Sequence, residues 1–222
     1  MGLAEAIILA VLAAFMPGGE PLREGIEQIP ELAAAALKSE VNAARVAERY
    51  VHARDCVVLG RVFQYSTARE MALKLEETCY VVATPFSTAD FRHGPAALVE
   101  RGLPVIVFAP PGRTSAEARE LLQWLHERGA DCLVVTEDER LLEHATVSIL
   151  LKLPALTGAV SPATGAKQGG NHPAQAMQTS VAELLAPIPY IIPGQLFAQY
   201  LALSKGLNPD QPRSLTKITR TR

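Results

Sequence analysis

Short, unbroken apolar runs alternate along this chain with stretches in which apolar residues recur at helical spacing. An unbroken run suits a strand buried on both faces, whereas a three-to-four-residue spacing suits a helix with one buried face. Strands and helices in alternation predict an α/β fold, a three-layer sandwich in which helices flank a parallel, Rossmann-like sheet. The predicted strands are 56–60, 80–83, 104–109, 131–136 and 147–151, and the predicted helices are 31–51, 65–77, 114–128 and 139–143, with 87–99 partly helical.

Three segments depart from this alternation. Residues 6–16 are almost continuously apolar, but they are too short to span a membrane and lack the basic flank of a signal peptide. We expect them to form a helix that packs against an apolar surface. Residues 154–177 are rich in small and polar types and predict a long flexible loop, after which helical spacing resumes over 181–203. The last residues, 207–222, are polar and basic.

The length of 222 residues predicts one domain with appendages. We expect residues 1–29 to form the apolar helix and a linker, and residues 30–206 to form a single domain interrupted by the insertion at 154–177. Residues 207–222 would then be a tail. From the residues alone, a frayed and solvated end is the ordinary interpretation of such a tail.

Charge and motifs exclude several classes of protein. With 21 Lys and Arg against 23 Asp and Glu, the net charge of −2 argues against nucleic acid and anionic membranes as partners. Cys56, Cys79 and Cys132 form no C-x-x-C pair and lie beside aliphatic runs, which predicts reduced, buried thiols in a cytoplasmic protein. The sequence has no phosphate loop, dinucleotide fingerprint, H-E-x-x-H or G-x-S-x-G motif. It therefore predicts neither a cofactor nor a metal.

Two segments contain candidate acid–base residues. Lys74 precedes Glu77 by three residues, which places both on one face of the predicted helix, while the adjacent Glu76 points elsewhere. Such a pair is ordinarily a surface ion pair, and a carboxylate and ammonium in a cleft would be the functional alternative. His93 lies within Asp90-Phe91-Arg92-His93-Gly94-Pro95, which follows the second predicted strand. Ligands of parallel sheets bind at the carboxyl ends of strands, so the loops at 60–67, 83–94 and 109–115 are further candidates.

Several separated segments resemble the sugar isomerase (SIS) family. In particular, they resemble the second SIS subdomain of the amino-sugar synthases in that family, the glutamine–fructose-6-phosphate aminotransferases. The similarity runs from about residue 30 to the end, except for the loop at 154–177. The segments are 56–61, 72–77, 90–95, 189–196 and 210–213, followed by Leu215 and Lys217.

The resemblance implies an aldose–ketose isomerisation of a sugar phosphate. Glu77 would move a proton between C1 and C2 of the sugar, and a carboxylate suits this role because a dry pocket can raise its pKa. His93 would assist ring opening in the site of the neighbouring subunit, which implies a homodimer. Lys217 would contact the carbonyl of the open-chain sugar, which would make the tail a lid. The further substrate-binding residues that the resemblance implies are Lys74, Thr216 and Arg61.

The sequence also departs from the family pattern. Those enzymes have a glutaminase domain and a first SIS subdomain whose S-x-S-G-x-T loop binds the sugar phosphate, and we find neither here. The equivalent turn, 109–112, offers few donors, and residues 6–16 resemble a remnant of the missing subdomain. Two hypotheses remain: an isomerase-type enzyme without its own glutaminase activity, or a non-catalytic module that binds carbohydrate derivatives or assists assembly. A separate chain that carries the first SIS subdomain is a further possible partner.

Overall fold

Five parallel strands form the central sheet in the computed structural model of the chain, which describes residues 3–16, 18–156, 159–160 and 179–213. The spatial order of these strands is second, first, third, fourth, fifth, which is a doubly wound arrangement. The predicted α/β sandwich with a parallel sheet is therefore confirmed. The strands are β1 (Asp55–Gly60), β2 (Val82–Ser87), β3 (Pro104–Phe108), β4 (Asp131–Thr136) and β5 (Val147–Leu150), with a separate antiparallel pair of β6 (Ala159–Val160) and β7 (Thr179–Ser180).

Helices cover both faces of the sheet. A π-helical turn spans Leu75–Cys79, and 3₁₀ turns span Pro95–Leu98 and Glu139–His144. The α-helices are α1 (Leu3–Ala14), α2 (Glu20–Glu27), α3 (Ile29–Leu37), α4 (Glu40–Arg49), α5 (Gln64–Lys74), α6 (Thr88–Phe91), α7 (Ser115–Glu127), α8 (Val181–Leu185) and α9 (Pro187–Ser204).

Alternate side chains of the inner strands β1, β3 and β4 enter two separate cores. Val58 of β1 packs with α4, α5 and α9 on one face, whereas Val57 and Leu59 pack with α6 and α7 on the other. Because both faces are buried, no polar alternation is needed, which explains the unbroken apolar runs in the sequence. A smaller third cluster joins α1, α2 and α8.

The prediction of one continuous helix over 31–51 is wrong, because the structure has two helices there. The stretch is divided into α3 and α4 at Ser39, whose hydroxyl donates to the carbonyl of Ala36 at 2.7 Å and so satisfies one end of α3. The helix predicted over 65–77 also begins one residue earlier than expected, because α5 starts at Gln64. Gly60 permits this early start, since a Cβ there would lie 2.1 Å from the Gln64 carbonyl oxygen.

Three other element boundaries differ from the sequence prediction. The second strand begins at Val82 rather than at residue 80, because Tyr80 completes the π-helical turn. The helix predicted over 181–203 is divided between α8 and α9 at Ala186. The predicted linker contains α2. Most of the predicted flexible loop at 154–177 lies outside the described residues.

The cysteines and the long C-terminal helix both belong to the core. Cys56, Cys79 and Cys132 are free and buried, as predicted, and burial raises the pKa of the Cys56 and Cys132 thiols to about 12. The stretch Val181–Ser204 has the length and apolar composition of a membrane-crossing helix. In this fold, however, much of it is buried against the sheet and α4.

Candidate active site

Lys74 and Glu77 form an ion pair where α5 passes into the π-helical turn. The Lys74 Nζ donates to Glu77 Oε2 at 2.8 Å, and a second carboxylate, Glu70, lies 3.8 Å from the same ammonium. Both members of the pair are about one-third exposed. The hydrogen bond to Glu77 is the main reason that the pKa of Lys74 is raised, so the ammonium stays charged. The predicted shared face of Lys74 and Glu77 is therefore confirmed.

The π-helical turn determines where Glu77 points. Thr78 Oγ1 donates to the Lys74 carbonyl at 2.7 Å, and the backbone N–H of Tyr80 donates to the carbonyl of Leu75. Tyr80 then leaves the turn with a φ of 55°, in the left-handed region. Single π-helical turns often occur at functional sites, because the wider turn displaces side chains from ordinary α-helical positions. Glu76 is exposed and lines a different depression, beside Arg69.

A polar cavity of about 270 Å³ adjoins the Lys74 side of this pair. Lys74 and Thr78 form one wall, Gln195 and Gln199 of α9 form another, and residues 208–210 form a third. Residues of the tail's first turn therefore line the cavity. Amide, hydroxyl and ammonium groups can donate and accept hydrogen bonds to the hydroxyl groups of a small polar ligand.

His93 lies at the opposite edge of the sheet from Glu77. Glu77 lies near the amino end of β2, whereas His93 follows its carboxyl end, and a six-residue strand separates those ends by roughly 17 Å. The His93 side chain is exposed and has no hydrogen-bond partner among the described residues. One protomer therefore does not bring His93 and Glu77 together. Glu77 also lies outside the carboxyl-end loops to which the strand rule pointed.

Arg61 is likewise distant from Glu77. It follows β1 and forms an ion pair with Glu117 of α7, with 3.0 Å between Nε and Oε2. Thr88 Oγ1 donates to the other oxygen of Glu117 at 3.4 Å. The whole of α5, roughly 16 Å long, separates Arg61 from the Lys74–Glu77 pair. Thr216 and Lys217, the other predicted substrate-contacting residues, lie outside the described residues.

Intrachain acceptors occupy the turn equivalent to the family's phosphate loop. The backbone N–H of Arg113 donates to Glu183 Oε1 at 2.8 Å, and Arg113 Nε donates to Oε2 at 2.8 Å. The backbone N–H of Gly112 donates to Ser115 Oγ at 2.9 Å. These donors are therefore engaged within the chain.

A second, separate acid lies at the carboxyl edge of the sheet. Glu137, directly after β4, faces a cavity of about 230 Å³ lined mainly by apolar residues and accepts a hydrogen bond from the Tyr190 hydroxyl at 3.0 Å. Burial raises the pKa of Glu137, and the Tyr190 hydroxyl partly offsets this. The sequence did not single out Glu137, because a single Glu after a strand carries no recognisable motif.

This raised pKa predicts a pH-dependent stability difference between the wild type and Glu137→Gln. Because the folded state holds the proton to higher pH than the unfolded chain, the wild type loses stability relative to the variant as pH rises above the ordinary glutamate pKa and through the raised folded pKa. Thermal melts of both proteins across this range measure the difference. Glu139→Gln, at an exposed site nearby, is the control for the loss of one carboxylate. A difference between the wild type and Glu137→Gln that does not change with pH would contradict the prediction.

The residues described include no group of three or more His, Cys, Asp or Glu side chains arranged to hold a metal ion.

A further cavity, of about 450 Å³, lies between α1 and the start of α5, and its lining includes no charged side chain. Leu12 of α1 is 59% exposed, and Phe15, directly after the end of α1, is 73% exposed. These two side chains leave an apolar surface uncovered.

The fold and the Lys74–Glu77 pair together define an α/β domain with a potential acid–base site beside a polar cavity. Residues 50–161 match the SIS domain model. The chain belongs to the SIS, or sugar isomerase, family.

The relatives carry a common name. The chain is 35% identical to the isomerizing glutamine–fructose-6-phosphate aminotransferase of Pyrococcus horikoshii, over 86% of this chain and 28% of the relative. It is 32% identical to the enzyme of the same name from Treponema pallidum, over 89% of this chain and 29% of the relative. The C-terminal domain of glucosamine-fructose-6-phosphate aminotransferase from Francisella tularensis superposes with a TM-score of 0.67 and 26% identity, covering 87% of this chain and 47% of that one. The chain thus spans less than a third of those two curated relatives.

Proposed function

We propose that this chain is an isomerase-type SIS domain that moves a proton between C1 and C2 of a phosphorylated sugar. Its substrate is fructose 6-phosphate, and glucosamine 6-phosphate is the product when ammonia has first condensed with the C2 carbonyl and released water. The observation that carries the proposal is the Lys74–Glu77 ion pair beside a polar cavity. The similarity to aminotransferases named as isomerizing supports the choice of reaction. We place the protein in the cytoplasm, with a small sugar phosphate as its ligand and neither nucleic acid nor membrane as its partner.

The geometry supports a distinct role for each member of the pair. Glu77 Oε2 accepts from Lys74, and within the described residues Oε1 has no partner, so it is available to accept a proton from carbon. The Lys74 ammonium would stabilise negative charge that develops on the enediol oxygens, because a cation fixed nearby needs no reorganisation during the reaction. The chemistry requires no glutaminase activity.

The proposal also requires a homodimer in which His93 serves the partner's site. The distance between His93 and Glu77 along β2 supports this arrangement, because one protomer separates them by the length of that strand. We expect light scattering to give twice the monomer mass of 23.8 kDa. Mixed dimers of His93→Ala and Glu77→Gln subunits should recover part of the activity, since one of the two sites is then intact. A monomer that is nevertheless active would overturn the shared site.

The decisive experiment measures interconversion of fructose 6-phosphate with glucose 6-phosphate, and of fructose 6-phosphate plus ammonia with glucosamine 6-phosphate. Product formation above the uncatalysed rate supports the proposal. Lack of turnover with every one of these substrates at high enzyme concentration would refute it.

The second candidate is a non-catalytic module that binds sugar phosphates or assembles with another SIS subdomain. Two observations favour it: the donors of the turn at 109–115 are engaged within the chain, and α1 leaves apolar side chains uncovered. Calorimetric titration with hexose and hexosamine phosphates tests the binding, and a flat titration removes it. Co-purification with a separate chain that carries a first SIS subdomain would support assembly.

A further inference from the structure

Tyr80 has an unusual backbone conformation immediately after the Glu77 turn. Its φ of 55° lies in the left-handed region, which bulky side chains seldom adopt. Residues in such conformations persist where the surrounding structure holds them, and they concentrate at functional sites. Tyr80 is also 37% exposed, so burial of its ring in a core does not explain its position.

The ring and the hydroxyl of Tyr80 both contact the start of the C-terminal tail. The backbone N–H of Arg213 donates to the Tyr80 hydroxyl at 2.7 Å. The guanidinium carbon of Arg213 lies 4.6 Å from the centre of the Tyr80 ring, within the range of a cation–π contact. Two independent contacts therefore join residues that are 133 positions apart.

The part of the tail just before Arg213 also lines the cavity of about 270 Å³ beside Lys74. Residues 208–210 form one wall of that cavity, and Asn208 Oδ1 accepts from the backbone N–H of Asp210 at 3.0 Å, which shapes the turn. The chain continues from this wall to Arg213 on Tyr80. The structured part of the tail therefore runs from the cavity to the end of the π-helical turn.

We propose that Tyr80 is a positioning residue that anchors the C-terminal tail at the Glu77 site. The effect of Tyr80 on catalysis rests on the proposed function, whereas its contact with the C-terminal tail does not. Since Tyr80 is three positions from Glu77, this contact holds residues 208–213 of the tail beside that carboxylate.

Hydrogen–deuterium exchange tests the anchor without any need for activity. In the wild type the Arg213 N–H is protected by the Tyr80 hydroxyl. Tyr80→Asn, which suits a positive φ but has no ring, should speed exchange of the C-terminal peptic peptide by about tenfold, and Arg213→Ala should do the same. Tyr80→Phe keeps the ring and should give a smaller increase.

Arg128→Ala is the matched control, because it removes another cation–π contact. The Arg128 guanidinium carbon lies 3.8 Å from the centre of the Trp124 ring, on the opposite face of the sheet. This variant should leave exchange of the C-terminal peptide unchanged.

Kinetics then separate positioning from general damage to the fold. We expect Tyr80→Asn to reduce kcat/KM by about tenfold while the urea midpoint stays close to that of Tyr80→Phe. Combined with Arg213→Ala, Tyr80→Asn should add no further loss, because both changes break the same contact between the tail and Tyr80. Unchanged exchange in Tyr80→Asn, or losses that multiply in the double variant, would overturn the anchor. Failure of the proposed function would appear differently, as a wild type with no turnover but with a protected Arg213.

Discussion

Glu77→Gln will reduce sugar-phosphate isomerisation by a factor of about 10² to 10⁴, the range usual for removal of a general base. Glutamine keeps the shape of the side chain and can still accept from Lys74 through its carbonyl oxygen, but it cannot take a proton from carbon. The expected result is therefore a loss of kcat with little change in KM. Initial rates of fructose 6-phosphate interconversion measure both.

Glu76→Gln is the matched control for this experiment. Glu76 is the adjacent residue and carries the same charge, but it is exposed on another side of the π-helical turn. It should retain turnover within about twofold. An active Glu77→Gln protein, or equal losses in both variants, would exclude Glu77 as the base.

The Lys74–Glu77 pair should matter little for stability, which keeps the kinetic result interpretable. Both side chains are about one-third exposed, and exposed ion pairs contribute about 0–1 kcal/mol. Because the folded state raises the pKa of Lys74, this contribution is complete below the ordinary lysine pKa and disappears as pH rises through the folded value. At neutral pH, Glu77→Gln should therefore unfold at nearly the wild-type urea concentration.

Phe91→Ala will lower the free energy of unfolding by about 3–5 kcal/mol, the largest change in stability that we expect from a single substitution. Phe91 is 0% exposed, and its ring contacts Phe86 and Trp124 at centroid distances of 5.8 and 6.5 Å. Deletion of the ring leaves a cavity between β2 and α7 that rigid strands cannot close. Urea denaturation followed by Trp124 fluorescence measures the shift.

Phe15→Ala provides a comparison with the same chemical change at an exposed site. Phe15 is 73% exposed, and the Arg23 guanidinium carbon lies 5.4 Å from its ring centre, so its loss should cost at most about 1 kcal/mol. Equal effects of the two substitutions would show that Phe91 is not enclosed as described. Because Phe91 immediately precedes the loop that carries His93, its replacement should also weaken any activity that depends on that histidine.

The local pattern predicted the sheet and the paired residues well. The apolar runs at 56–60, 104–109 and 131–136 correspond to the inner strands β1, β3 and β4. A strand buried on both faces has no solvent-facing side to fill with polar residues. The spacing of Lys74 and Glu77 was sufficient to place them together, because residues three apart in a helix are neighbours. The boundaries at Ser39 and Ala186, and the start of α5, were predicted less well, since they depend on side-chain hydrogen bonds and close packing between elements.

Sequence alone therefore determined the fold class, the SIS resemblance and the chemical candidates, since periodicity and motifs are properties of neighbouring residues. Only the tertiary structure decided which candidates meet. It separates His93 from Glu77 by the length of β2, joins Arg61 to Glu117, and brings Tyr80 onto Arg213. These relations connect residues that are far apart in the chain, and no local spacing encodes them. They arise because parallel strands place successive helix and loop ends at opposite edges of one sheet.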